Sequence, residues 1–400
     1  MSNHKKSSIT EEVVLPKGFK AAGSAVGLKK GNVKDMALLF SEKPAVMAGT
    51  FTTNQVKAAS VKLCQKRLSG KGHAVIINSG NANACNGAQG MLDAERMAQA
   101  TARLLGVDER TVFVSSTGRI GVRLPMNIIE DGIPKAVREL SRDGGNSASE
   151  AIMTTDTKPK RCTVRFPVDG KPVTVTGMCK GAGMIEPNMA TMLCYLLTDA
   201  VVDSDALQSC LTDAVKKSFN RITVDGDRST NDTVLLMANG EAGNKPLKKS
   251  HPDWDAFCEA VNTITMNLAL KIVEDGEGAS KVVTIRVKGA RNEAEADIAA
   301  RSVANSLLVK TSWVGDYPNW GRIMDALGYS EAKVDEGRVE IRYDDMPAAK
   351  DGVAAGTSLE DLKRVQRQKA FTIDIDLHLG AGEAVVYTCN CTEEYVRINM

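Results

Sequence analysis

The stretch from Lys180 to Leu197 constrains the fold of this chain more than any other. A loop rich in glycine and closed by a proline, Lys180-Gly181-Ala182-Gly183-Met184-Ile185-Glu186-Pro187-Asn188, runs directly into the apolar residues 189–197. That run is far shorter than the ~20 residues a bilayer crossing needs. It must therefore be covered by layers of the protein itself, and residues 193–197 are expected as a core strand. Thr191 sits where loop meets strand. One reading makes it a plain strand residue, since β-branched side chains favour strands. The other is chemical. A hydroxyl at such a join can attack the carbonyl before it, split the chain and leave a new N-terminal threonine. Threonine is a poor nucleophile without an adjacent base. A free α-amine, with an ordinary pKa of about 7.7–8.0, is such a base at working pH.

The supply of other catalytic groups bears on that choice. The chain has 4 histidines in 400 residues, His4, His73, His251 and His378. A histidine triad or a histidine-rich metal site is poorly provided for, which favours a nucleophile that brings its own base. The 9 cysteines form no CxxC pair, and Cys389 and Cys391 lack a zinc-site spacing. Reduced thiols and a cytoplasmic location are expected. A net charge of +2 and an aromatic content of 4% argue against nucleic-acid and membrane-surface partners. Residues 1–12 are polar, carry no apolar signal segment and are expected as a disordered tail.

Strands and helices are expected in groups. Residues 45–53, 60–64, 74–77 and 112–114 read as strands. Residues 162–168 and 173–178 form a hairpin through Asp169-Gly170. Further strands fall at 233–237, 282–288, 339–343, 370–379 and 384–389. Helical periodicity marks 92–105, 126–140 with an interruption at Pro134, 148–153, 204–219 with Ser204 as N-cap, 254–273 and 297–309. Neither a regular βαβ repeat nor an internal repeat is seen. The fold class is α/β (α+β), layered, rather than a doubly wound sheet or barrel.

Several short segments could carry chemistry, and each has a plain alternative. Ser116-Thr117-Gly118 closes a strand, as a tight turn or as a cradle aiming backbone N–H groups at developing negative charge. Asn78-Ser79-Gly80-Asn81-Ala82-Asn83-Ala84-Cys85 reads as a loop. Thr154-Thr155-Asp156-Thr157 suits a helix-terminal cap cluster. Lys180 lies beside glycines and by itself reads as solvated. Glu277 sits in an acidic turn punctuated by glycines. Residues 218–233 set three acids among hydroxyls, a cation loop or a structural loop, with spacing unlike an EF-hand. Residues 22–31 hold no dinucleotide-binding glycine pattern.

Taken in order, NSGNANAC, Thr117-Gly118, TTDT, KGAGMIEPNMATMLCYLLTDA, the 218–233 string, Pro318-Asn319-Trp320-Gly321-Arg322-Ile323 and Glu393–Asn399 resemble the ornithine acetyltransferase family. This is the bifunctional glutamate N-acetyltransferase family of arginine biosynthesis. The resemblance spans about residues 13–399. It implies a layered α-β-β-α sandwich of the N-terminal-nucleophile type with a smaller C-terminal α/β domain near 280–400. It implies cleavage between Ala190 and Thr191, giving an α chain (1–190) and a β chain (191–400) paired into an α2β2 heterotetramer. Thr191 becomes the nucleophile, Thr117 and Gly118 the oxyanion hole, and Thr154, Lys180, Thr191, Glu277 and Asn399 substrate contacts. Arg119 stands where the family more usually has an apolar residue. The family pattern also continues a few residues to a terminal Ser or Thr, whereas this chain stops at Met400.

The implied reaction is ping-pong transfer of acetyl from N-acetylornithine to glutamate, needing neither metal nor bound cofactor. Acetyl-CoA stays open as a second donor. A self-processing aminopeptidase or amidase, passing the acyl group to water, is the nearest alternative. A binding protein that keeps the fold and never cleaves is a more distant one.

Overall fold

The computed structural model describes residues 9–186 and 192–400. It divides into two compact units, one running to Asn220 and including Asp227–Ala269, the other comprising Arg221–Gly226 and Leu270–Met400.

Among the described residues the first unit holds nine strands: β1 (Ile9–Thr10), β2 (Phe19–Ser24), β3 (Met36–Phe51), β4 (Lys71–Asn81), β5 (Val112–Arg119), β6 (Lys160–Val168), β7 (Lys171–Lys180), β8 (Leu193–Thr198) and β9 (Thr233–Ala238). Their order is β1-β6-β7-β8-β9-β3-β4-β5, with β2 also on β3. The long β3 gives the sheet its shape. Its first half pairs with β2 and β4, its second half pairs with β9, and its register on β4 slips between Phe40 and Ala45. The slip bends the sheet into two layers that enclose a core. Leu39, Ile77 and Phe113 enter this core from one layer, and Tyr195, Leu197 and Leu235 from the other.

Helices cover both outer faces. They are α1 (Ala59–Arg67), α2 (Gly87–Leu105), α3 (Met126–Arg138), α5 (Ser204–Lys217) and α6 (Trp254–Glu274), whereas α4 (Gly145–Ala151) packs Ala148 and Ala151 into the enclosed core. Leu38, Ile76 and Val114 alternate with the inward residues of their strands and pack against Met97 of α2 and Ile129 of α3. On the other layer, the Cys162 and Cys179 thiols donate to the carbonyls of Ile264 and Leu268 on α6. Gly177 of β7 allows this close approach, since a Cβ there would lie 2.5 Å from Ile264 Cγ2. The result is the expected helix-sheet-sheet-helix sandwich. By length and composition α6 could cross a bilayer. Ile264 and Leu268 are fully buried against the sheet, which makes it a core helix of the sandwich.

The second unit is built on a six-stranded sheet of β10 (Val282–Ala290), β11 (Glu340–Tyr343), β12 (Met346–Lys350), β13 (Val353–Ala354), β14 (Ala370–Asp376) and β15 (Gly382–Cys389), ordered β13-β12-β11-β14-β10-β15. Its helices are α7 (Glu293–Asn305), α8 (Leu307–Ser312), α9 (Trp320–Gly328), α10 (Leu359–Gln366) and α11 (Glu393–Ile398). Side chains alternate along β10 and β14. Ile285, Val287, Ile373 and Ile375 are buried, while Arg286 and Asp374 pair at 2.7 Å on the other face. Trp313 packs edge-on to Phe371 at 6.0 Å in the centre of this core.

Four local expectations are corrected. Residues 60–64 belong to helix α1, because Val61, Leu63 and Cys64 bury into the sandwich and the Cys64 thiol donates to Val114 O at 3.1 Å. Tertiary packing there overrides the strand-like composition. Helix α3 continues through Pro134, held by buried Ile129, Ile133 and Ala136. The cap of α5 is Asp203, whose side chain accepts from the N–H groups of Asp205 and Ala206, and Ser204 is already helical. The tail expected over 1–12 is engaged at Ile9 and Thr10, which pair with Val164 and Thr163.

Candidate active site

Thr117 and Gly118 lie at the end of β5, parallel to Ser79 and Gly80 of β4. Gly118 has φ +130°, and a Cβ on it would stand 2.3 Å from the Gly80 carbonyl carbon. Only glycine fits both conditions. The amide-rich loop beside it is a hydrogen-bonded scaffold. Asn78 Nδ2 donates to Asn81 O at 2.9 Å, Asn81 Nδ2 donates to the carbonyls of Val122 and Arg123, and Asn83 Nδ2 donates to Gly90 O. Arg119 takes part through its backbone, accepting from Ala82 N–H at 2.9 Å, and its side chain is exposed. The unusual residue type at 119 therefore leaves the turn intact.

Lys180 ends β7 and is 4% exposed. Its Nζ donates to Thr117 Oγ1 at 3.4 Å, so a buried cation stands beside the candidate oxyanion turn. Asp156 supports this arrangement. Its Oδ1 accepts from Gly181 N at 2.7 Å and from Lys160 Nζ at 2.7 Å, and its Oδ2 accepts from Thr154 N at 3.0 Å. Burial alone would raise the Asp156 carboxyl, but the Lys180 and Lys160 charges and the Gly181 N–H outweigh it and hold it at about 2. Asp156 is thus an ionised anchor tying TTDT to the loop after β7. Thr154 is half-buried and fixed through its backbone N–H. Lys29 joins the cluster by donating to Met153 O at 3.0 Å. Burial lowers its ammonium, against the pull of Asp35 and Asp156.

Ala190 and Thr191 lie outside the described residues. The residue that follows them is firmly placed. Met192 N–H donates to Asp232 Oδ1 at 2.6 Å, and Met192 O accepts from Thr233 N at 3.1 Å. Burial pushes the Asp232 carboxyl well above the ordinary carboxylate range, against the opposing effects of the Met192 N–H and the Lys180 charge. Two buried acids near Lys180 are therefore pushed in opposite directions, Asp156 down and Asp232 up.

Glu277 and Asn399 belong to the second unit and meet there. Asn399 Nδ2 donates to Glu277 Oε2 at 2.7 Å and to Tyr395 O at 2.9 Å. Gly278, at φ +68°, permits this turn, since a Cβ would stand 2.7 Å from Tyr395 N.

Sequence reasoning overlooked Asp156, Lys160, Asn231 and Asp232. Asp156 was visible inside TTDT, and the spacing of Asp156 and Lys160 permits an ion pair, but nothing local shows that both bury completely. Elsewhere, Asp169, His251 and Asp253 come close enough to suggest a metal. The two His251 ring nitrogens are occupied instead, Nδ1 accepting from Asp253 N at 3.0 Å and Nε2 facing Asp169 Oδ1 at 3.3 Å. A cavity of about 230 Å³ opens beside Lys57, Lys62, Asn83 and Cys85, and none of the expected site residues lines it.

A family model described as ArgJ family matches residues 20–400. The chain belongs to the ArgJ family. It is 47% identical to the arginine biosynthesis bifunctional protein ArgJ of Symbiobacterium thermophilum over 97% of each chain. It is also 47% identical to the protein of the same name from Geobacter sulfurreducens, over 96% of this chain and 98% of the other. Among solved structures, an ornithine acetyltransferase from Mycobacterium tuberculosis complexed with ornithine is 40% identical, with a TM-score of 0.43, covering 47% of this chain and 100% of that one. Membership in the ArgJ family makes the chain an acetyltransferase of arginine biosynthesis.

Proposed function

We propose that this chain, once cut between Ala190 and Thr191, carries acetyl from N2-acetyl-L-ornithine to L-glutamate through an acetyl-threonine ester. The observation that carries the proposal is the buried Lys180 ammonium 3.4 Å from Thr117 Oγ1, at the end of the strand that bears Gly118. Maturation begins with attack of Thr191 Oγ on the Ala190 carbonyl. Acyl transfer from nitrogen to oxygen gives an ester, and water hydrolyses it to the Ala190 carboxylate and the free Thr191 α-amine. In turnover that amine takes the hydroxyl proton while Oγ attacks the acetyl carbonyl of N-acetylornithine. Thr117 and Gly118 stabilise the tetrahedral oxyanion, a role worth about 10²–10³ in kcat for one donor. The amide nitrogen departs as the α-amine of ornithine, taking the proton. Glutamate's amine then attacks the acetyl ester and regenerates the hydroxyl.

Lys180 pairs a substrate carboxylate. Glu277, held by Asn399, takes the cationic side-chain amine of ornithine, and Thr154 and Asn399 supply polar contacts. No metal or bound cofactor enters these steps. Acetyl-CoA as a second donor, α2β2 assembly and a cytoplasmic location complete the proposal.

Intact mass spectrometry of the purified protein beside Thr191→Ala tests the core of it. Two fragments, the second beginning at Thr191, are expected from the native chain and one uncut chain from the variant. An uncut native chain, or a variant that cuts, refutes the mechanism.

A further inference from the structure

β8, the strand that follows the proposed nucleophile, and β5, the strand that ends in the proposed oxyanion pair, are not neighbours. Between β8 and β5 lie β9, β3 and β4, and the bend in β3 places the two in different layers. Sheet hydrogen bonding alone therefore does not set their separation. The segment leading into β9 touches both. Asn231 Nδ2 donates to Ser116 O at 2.7 Å, the carbonyl of the peptide that leads into Thr117, and to Ala82 O at 2.6 Å. The next side chain, Asp232, accepts Met192 N–H at 2.6 Å, which holds the nitrogen of the peptide joining Thr191 to Met192. The segment is itself fixed, with Thr52 N–H donating to Asp232 O at 3.1 Å. Asn231 is 6% exposed and Asp232 is 1% exposed, so neither bond competes with water.

We infer that Asn231 and Asp232 are positioning residues, two consecutive side chains that lock the nucleophile strand to the oxyanion turn at one separation. The inference rests on the reading of Thr191 as nucleophile and Thr117-Gly118 as oxyanion pair. Its chemistry needs an acceptor at position 232, not a charge. Burial, which raises the Asp232 carboxyl, agrees with a role as acceptor and not as charge. The amide oxygen of an asparagine would accept the Met192 N–H equally well.

The experiment compares Asp232→Ala, Asp232→Asn and Asn231→Ala with Thr191→Ala and the native chain. Self-cleavage is followed by intact mass, and acetyl transfer by kcat, KM and pH profile, with a thermal melt on each variant. Asp232→Ala and Asn231→Ala should cut slowly and lose about 10²-fold in kcat, the scale of a small misplacement of reacting groups. Their KM for N-acetylornithine should hardly move. Asp232→Asn should restore cleavage and kcat with an unchanged pH profile. Native rates in Asp232→Ala overturn the inference. So does an Asp232→Asn variant as slow as the alanine with an altered profile, which would make Asp232 a proton-transfer group. Should Asp232→Ala not fold, native kcat in Asn231→Ala refutes the inference by itself. Cleavage in Thr191→Ala would refute the underlying nucleophile reading instead, so the two failures are separable.

Discussion

At the scale of single residues, Asp156 shows how burial and charge decide a carboxyl's state. Its folded value of about 2 lies below the ordinary 3.8. A depressed carboxylate stabilises the fold above its unfolded pKa, and that contribution is lost as pH falls through the folded value. The gap corresponds to roughly 2 kcal/mol, lost between about pH 4 and pH 2. We expect urea midpoints of the native chain to fall steeply in that window, and Asp156→Asn to flatten the fall while starting from a lower midpoint at pH 7. Asp232 runs the other way. Its folded carboxyl is raised, so its contribution is present at low pH and declines as pH rises through its unfolded value. Lys180 and Thr117 were singled out through motif resemblance, and the structure adds that the two side chains meet. The sequence could not reveal Asp156 as the anchor, since an acid four residues before a lysine is normally a solvated pair. Only the sandwich around them removes the water.

At the scale of elements, legibility followed periodicity. The 162–168 and 173–178 hairpin was readable because Asp169 and Gly170 both adopt positive φ, +50° and +72°, which suits a tight two-residue turn. The alternating strands of the second unit were readable for the same kind of reason. Helix α1 was not, since in nine residues it shows only one short polar stripe, Lys62, Gln65 and Lys66, too little to set a period. The cap of α5 failed by one position. Asp203 and Ser204 are both good capping residues, and the choice depends on backbone angles, with Asp203 at ψ 141° just outside the helix. Asp203→Ala should therefore cost about 1 kcal/mol in chemical denaturation, and Ser204→Ala close to nothing. Equal effects would return the cap to Ser204.

At the scale of the whole molecule, the proposed cut falls in the connection between two hydrogen-bonded neighbours. Lys180 of β7 faces Leu193 of β8 in an antiparallel pair that continues to Val175 and Thr198. Beyond β8, the pairing of β9 with β3 again joins residues from opposite sides of the cut. Both products thus share one sheet and one core. They should elute together from a sizing column in native buffer and separate only in denaturant; separation in native buffer would contradict this architecture.

The same placement changes the molecularity of folding. Before scission, β7 finds β8 within one chain, in a first-order search closed by a short loop. Afterwards the two strands belong to different molecules, and any mature enzyme that fully unfolds must reassemble by second-order encounter at whatever concentration its fragments retain. The tether is present while the structure is first made and absent for every later attempt, so the protein's history, and not its sequence alone, determines how readily its fold is regained.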